Sequence, residues 1–276
     1  MSCKSLLKRK LYQSINKIGG NHVCIAFSGG VDSTLLTRIC MNKKLEITLL
    51  TIGFLDSSDI QRARLIADMF ELPIITKKIG LDDLEESIKK VMSIITWRRL
   101  VRLELCVFYY HLFTLAKEHE FNSVISADGI DAIFCGYDAY RRGYCQNTDL
   151  KYLTKILTQQ ALDDEREIRK IAELFDIRYL TPFLSKEIID FADIIPSRYK
   201  IRDGNDKTRK HIIREIALDE GIGRSISYRS KSSLQYSSEL HKGIEVLAKK
   251  AEQRDSGLKQ ETKSGLEIYL DSLQAN

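Results

Sequence analysis

A chain of 276 residues, 43% apolar and 29% charged, can bury roughly three quarters of its unfolded surface and needs no metal or disulfide staple. Its net charge of +5 suits an anionic ligand and is too weak to argue for nucleic acid. No apolar run reaches the roughly 20 residues of a membrane span, and no cysteines form a C-x-x-C pair, so a membrane anchor, a zinc ribbon and an iron–sulfur site have no support.

Residues 1–20 read as a helical extension in which Lys8, Arg9 and Lys10 are a solvated face. Val23 to Phe27 reads as a buried strand, followed by a tight Gly-Gly turn and a helix through about Cys40. Ile47 to Ile52 is a second strand, and Gly53 to Ser58 its loop. Asp59 is the expected cap of a helix reaching about Phe70, which Leu72-Pro73 ends. Ile74 to Thr76 is a third strand. Two helical stretches then lead to a fourth, Ser123 to Ser126, which runs into an acidic, glycine-containing loop. From about Asp149 the apolar spacing becomes helical throughout. This pattern predicts an α/β fold: a parallel-sheet core over residues 21–150, then a helical lobe over 151–276. The tail from about Lys249 is polar, either a loosely held helix or partly disordered. With no signal peptide visible, a cytoplasmic protein with reduced thiols is expected, Cys24 and Cys106 being small core residues.

The strongest chemical signal is Phe27-Ser28-Gly29-Gly30-Val31-Asp32-Ser33-Thr34. A strand enters two glycines and a helix starts at once. Gly29 and Gly30 let backbone amides approach an anion, and the helix start adds unpaired N–H donors. Ser28, Ser33 and Thr34 add hydroxyls. A carboxylate at Asp32 would repel phosphate unless a cation lay between them, which predicts Mg²⁺ there. Neither G-x-x-x-x-G-K-[ST] nor G-x-G-x-x-G is present.

This segment resembles the pyrophosphate loop of the N-type ATP pyrophosphatases, the PP-loop superfamily. Within it, Ser126-Ala127-Asp128-Gly129-Ile130-Asp131-Ala132-Ile133-Phe134-Cys135-Gly136-Tyr137 resembles the S-G-E-G-A-D-E-L-F-G-G-Y loop of asparagine synthetases. Thr181-Pro182-Phe183-Leu184, Lys210 to Glu215 (K-x-x-L-R-E) and Arg229-Ser230-Lys231 (R-x-K) follow in the family's order. The departures are Asp128 for Glu, Ala132 for the Glu after the aspartate, and Arg178 and Leu180 where Glu and Arg precede P-F-L. Only 27 residues precede the phosphate loop, so the expectation is a chain without the family's glutaminase domain.

The resemblance implies an adenine-nucleotide α-hydrolase-like fold and an AMP-forming ligase. ATP would be cleaved between its α- and β-phosphates to give an acyl-adenylate, captured by ammonia or an amine. The cofactors implied are ATP and Mg²⁺, the metal held by Asp32 and Asp131. Backbone near Thr51, Ile52 and Gly53 would meet the adenine, and Ser126 and Gly129 would lie near the nucleotide. Lys210 and Arg214 either reach phosphate or form a surface pair. Lys231 would stabilise charge at the α-phosphorus. Asp128 is either the general base for the attacking nitrogen or a loop cap. Arg102, after Trp97, Arg98 and Arg99, is a candidate to hold an acidic substrate. The expected partners are a small carboxylate, an amine donor and possible supply from a separate glutaminase subunit. Two other readings stay open: a tRNA-modifying adenylating enzyme, and a nucleotide-binding relative without catalysis.

Overall fold

The hub of the sheet is β1 (His22–Ala26), whose central residues Val23, Cys24 and Ile25 are buried. In this computed structural model, which describes residues 2–54, 57–97, 99–229, 239–254 and 265–275, β1 pairs in parallel with β2 (Glu46–Phe54) and β4 (Ser123–Ile125). β3 (Ile74–Ile79) extends the sheet beyond β2, and β5 (Arg178–Leu180) extends it beyond β4. The order is β3-β2-β1-β4-β5, every pair parallel.

Alternation along each strand divides the core. Val23, Ile25 and Leu49 enter one apolar cluster, and Cys24 and Leu50 enter another. The first is covered by α1 (Cys3–Asn16), α2 (Val31–Asn42) and α3 (Ser58–Met69). The second is covered by α4 (Leu81–Met92) and α5 (Leu100–Glu118). Helices on both faces are what a buried parallel sheet needs. Leu7 and Leu11 of α1 are fully buried, so the opening helix is core on one face while Lys8 pairs with Glu220.

The chain after β4 runs through α6 (Ile130–Ile133), α7 (Asp138–Cys145), α8 (Leu150–Glu173), α9 (Lys186–Ile194), α10 (His211–Asp219), α11 (Arg224–Ser227), α12 (Leu240–Arg254) and α13 (Gly265–Ala275). It is not helical throughout. β5 lies within it and joins the sheet, a three-residue edge strand too short to interrupt the helical periodicity around it. Within the tail, the last helix, α13, packs more firmly than the segment's polarity suggests. Tyr269 and Leu270 of α13 are buried in the second cluster, because adjacent apolar residues suffice to anchor one helical face. At α3 the cap is Ser57, whose Oγ accepts from the Asp59 N–H at 3.1 Å. Asp59 instead sits in the first turn and pairs with Arg62 at 2.6 Å. Cys24 and Cys106 are buried as expected, and no helix among the described residues is long and apolar enough to cross a membrane.

Candidate active site

Connections leaving β1 run to β2 and β3 on one side, while β4 and β5 stand on the other. A crevice must open where the order reverses, outside the carboxyl ends of β1 and β4. A cavity of about 450 Å³ lies there, lined by Ser28 to Ser33 after β1 and Ser126 to Gly129 after β4.

The first loop is shaped by its glycines. Gly29 has φ +66°, and a Cβ there would come within 3.0 Å of Ile66, so both conformation and space call for glycine. Gly30 caps α2 without a side-chain hydrogen bond, which leaves the first helical N–H groups directed at the crevice. The Ser33 hydroxyl donates to Gly30 O at 3.2 Å and stands 3.3 Å from Ser28 Oγ, so both serines edge the cavity. Thr34 and Ile52 do not line it. Thr34, one residue further round the helix, and Ile52, inside β2, are fully buried, so from Ile52 only backbone could meet an adenine.

The second loop turns at Gly129 (φ +94°), where a Cβ would fall 2.5 Å from Leu184. Asp131 follows on α6, and Gly136 makes room for it, since a Cβ at Gly136 would overlap the Asp131 carboxylate. Ala132 is buried and faces the core. Asp128 lies on the cavity floor. Tyr109 and Tyr179 each donate their hydroxyl to its Oδ2 at 2.6 Å, and Tyr109 also meets Ser126 Oγ at 2.7 Å. Burial pushes the Asp128 carboxyl above the ordinary carboxylate range, although the two tyrosines and Ser126 oppose it. The tyrosines are the functional neighbours that spacing did not expose. Their signal was chemical: a Tyr on an apolar helix or strand needs a partner for its hydroxyl.

Asp32 and Asp131 converge on Lys210. Its Nζ lies 2.6 Å from Asp32 Oδ2 and 2.8 Å from Asp131 Oδ1. Burial lowers the pKa of this ammonium, and the two carboxylates outweigh it and hold it above an ordinary lysine. Lys210 is not inside a helix; it precedes α10 in the left-handed region (φ 53°), as does Arg209 (φ 47°). Arg214 lines the cavity beside Lys210, with part of its guanidinium already engaged. Its guanidinium donates to the carbonyls of Arg209 (2.7 Å), Ser227 (2.6 Å) and Arg229 (3.1 Å), fixing the segment that carries Arg229 to the cavity rim. Arg102 is likewise engaged, through Nε to Asp164 at 2.7 Å, and Arg99 rather than Arg102 lines the cavity. Lys231 lies outside the described residues.

The strained backbone before Lys210 is held by Asp206. Its carboxylate accepts from the N–H groups of Arg202 (2.9 Å), Thr208 and Arg209 (both 3.0 Å), and lies 2.6 Å from His211 Nε2. Burial works against its ionisation, but the backbone donors and the His211 ring hold its pKa down to about 2 from 3.8. A carboxyl depressed on folding stabilises the fold above the unfolded pKa, and that contribution is lost as pH falls from about 4 towards 2. Asp206→Asn is expected to cost about 2 kcal/mol at pH 7. Urea unfolding should show the mutant and parent converging at pH 2; an unchanged gap at both pH values would contradict this role.

Two hard carboxylate oxygens converging beside a phosphate-binding loop are a donor set that suits Mg²⁺, with phosphate oxygens and water completing six ligands. Among the described residues no group of three or more His, Cys, Asp or Glu is placed to hold a metal ion.

These features define an α/β protein with a parallel sheet and an anion-binding crevice at its switch point. The asparagine synthase family model matches residues 7–179, and the chain belongs to that family. A Methanocaldococcus jannaschii protein named "Putative asparagine synthetase (glutamine-hydrolyzing) 1" is 26% identical over 286 residues, covering 90% of this chain and 52% of that protein. The chain therefore spans about half the length of that curated relative. Among solved structures, a U34-tRNA thiolase from Methanococcus maripaludis aligns at 12% identity over 98% of this chain and 78% of its own, with a TM-score of 0.42. NMN synthetase from Francisella tularensis aligns at 14% identity over 94% and 97%, with a TM-score of 0.36.

Proposed function

We propose that this protein is an ATP-dependent carbon–nitrogen ligase of the asparagine synthetase type, which activates a carboxylate as an acyl-adenylate. A carboxylate oxygen attacks the α-phosphorus; the new P–O bond forms as the bond to the β-phosphate bridging oxygen breaks, and pyrophosphate leaves. Ammonia or an amine then attacks the acyl carbon and AMP leaves; a separate glutaminase subunit is a candidate source of the ammonia. Ser28 to Ser33 and the start of α2 hold the pyrophosphate. Asp32 and Asp131 would hold Mg²⁺, which would offset charge on the phosphates. Lys210 keeps the two carboxylates facing each other. Lys231 is proposed to meet charge at the α-phosphorus, and Asp128 to take the proton from the attacking nitrogen.

The observation that carries this reading is the convergence of Asp32 and Asp131 on one point beside the Ser28–Ser33 loop. The test is exchange of labelled pyrophosphate into ATP with a panel of carboxylic acids and no amine. Acid-dependent exchange is expected; ADP and phosphate as the main products of ATP turnover would sink the proposal.

A further inference from the structure

Beyond the phosphate loop the cavity continues between two helices. A crossover helix runs antiparallel to the strands it joins, so the first turns of α5 and of α8 lie towards the carboxyl edge of the sheet. α8 has 24 residues, about 36 Å, while the β5 strand that follows has three, about 10 Å. The amino-terminal half of α8 must therefore overhang that edge. α5 and α8 pack together, and their cavity-facing residues follow helical spacing: Val101, Leu105 and Phe108 on one, Leu157, Ala161 and Ile168 on the other.

The charged groups of this wall are already engaged. Arg99 holds both oxygens of Asp164, at 2.7 and 2.8 Å, and Arg102 takes the same carboxylate at 2.7 Å. Glu165 receives Arg169 and, at 3.3 Å, the Thr181 hydroxyl. The exposed arginines of the lining, Arg142 and Arg229, stand on α7 and beyond α11, not on this wall. A second carboxylate placed between α5 and α8 would meet arginine charge that Asp164 already offsets and would face Asp164 and Glu165, whereas an apolar group would bury against six side chains.

We infer that the acid activated here has an apolar body, aliphatic or aryl, lying between α5 and α8 with its single carboxylate turned towards the phosphate loop. The inference rests on the proposed adenylation. It separates this chain from enzymes whose acceptor is a small dicarboxylate, and it fits the position of Leu105, half-buried yet turned into the cavity. Phe108 and Ile168 are the buried members of this lining.

Calorimetric titration with straight-chain acids from butanoate to octanoate, with Mg²⁺ and α,β-methylene-ATP present, tests it. Affinity is expected to rise about three- to fourfold per methylene, and to exceed that of aspartate from hexanoate onward. Leu105→Asn should flatten the series while α,β-methylene-ATP affinity changes less than twofold. A flat series in the parent, or tighter binding of aspartate, would overturn the apolar acceptor and leave adenylation standing. Loss of nucleotide affinity in Leu105→Asn would make the cleft the adenine site and also overturn it. Failure of adenylation itself reads out separately, as absence of acid-dependent pyrophosphate exchange.

Discussion

Replacing Asp128 with asparagine is expected to lower kcat by about 10²- to 10⁴-fold, the usual contribution of a positioned general base. The side chain keeps its shape but loses the charge that accepts a proton. Two tyrosine hydroxyls already donate to Oδ2, so the amide still fills the site, and ATP affinity should change little because the proposed nucleotide contacts lie on Ser28 to Ser33. A base works only as the carboxylate. Since burial raises the Asp128 pKa, activity should fall as pH drops through a value above the ordinary carboxylate range, and this acid limb should vanish in the mutant. Steady-state kinetics between pH 5 and 9 with the amine varied provide the check. A mutant with near-normal kcat, or one whose acid limb is unchanged, would return Asp128 to the role of a loop cap.

Lys210→Met is expected to cost about 2–4 kcal/mol of stability without Mg²⁺. Removing one member of a buried charge cluster commonly costs 3–5 kcal/mol. The lower part of the range applies because the side chains of Asp32 and Asp131 are 19% and 22% exposed, while that of Lys210 is 3% exposed, so water screens the carboxylates in part. Two anions would then face each other without the ammonium between them. A divalent cation can replace that charge, so the deficit should shrink when Mg²⁺ is added, and more so in the mutant than in the parent. Denaturant unfolding with and without Mg²⁺ measures both effects. Equal stability of mutant and parent, or a Mg²⁺ response no larger than the parent's, would show that the lysine does not couple the two carboxylates.

Much of the site was legible because its residues sit in short segments with strong local chemistry. Ser28 to Ser33 and Ser126 to Asp131 follow strands whose apolar runs are plain, and each contains a glycine that only a turn explains. What spacing missed depends on tertiary contact. Tyr109 lies in an apolar stretch of α5 and Tyr179 in a three-residue strand, and they meet at Asp128 only once β4 and β5 pair. Lys210 read as helical because the residues after it are; its left-handed backbone is imposed by Asp206, four residues earlier. Arg102 read as a substrate-binding candidate because sequence shows charge without showing that Asp164 has claimed it. β5 was hidden by length alone.

The most direct test of the central claim uses acid labelled with ¹⁸O in its carboxylate. Attack of that oxygen on the α-phosphorus, followed by loss of the acyl group to the amine, must leave one ¹⁸O on the phosphate of AMP. Phosphorus NMR of the products should show the isotope-shifted AMP resonance in proportion to amide formed, with unlabelled pyrophosphate. Label found in free phosphate beside ADP, with none in AMP, would mean that the carboxylate attacks the γ-phosphorus and would contradict the account.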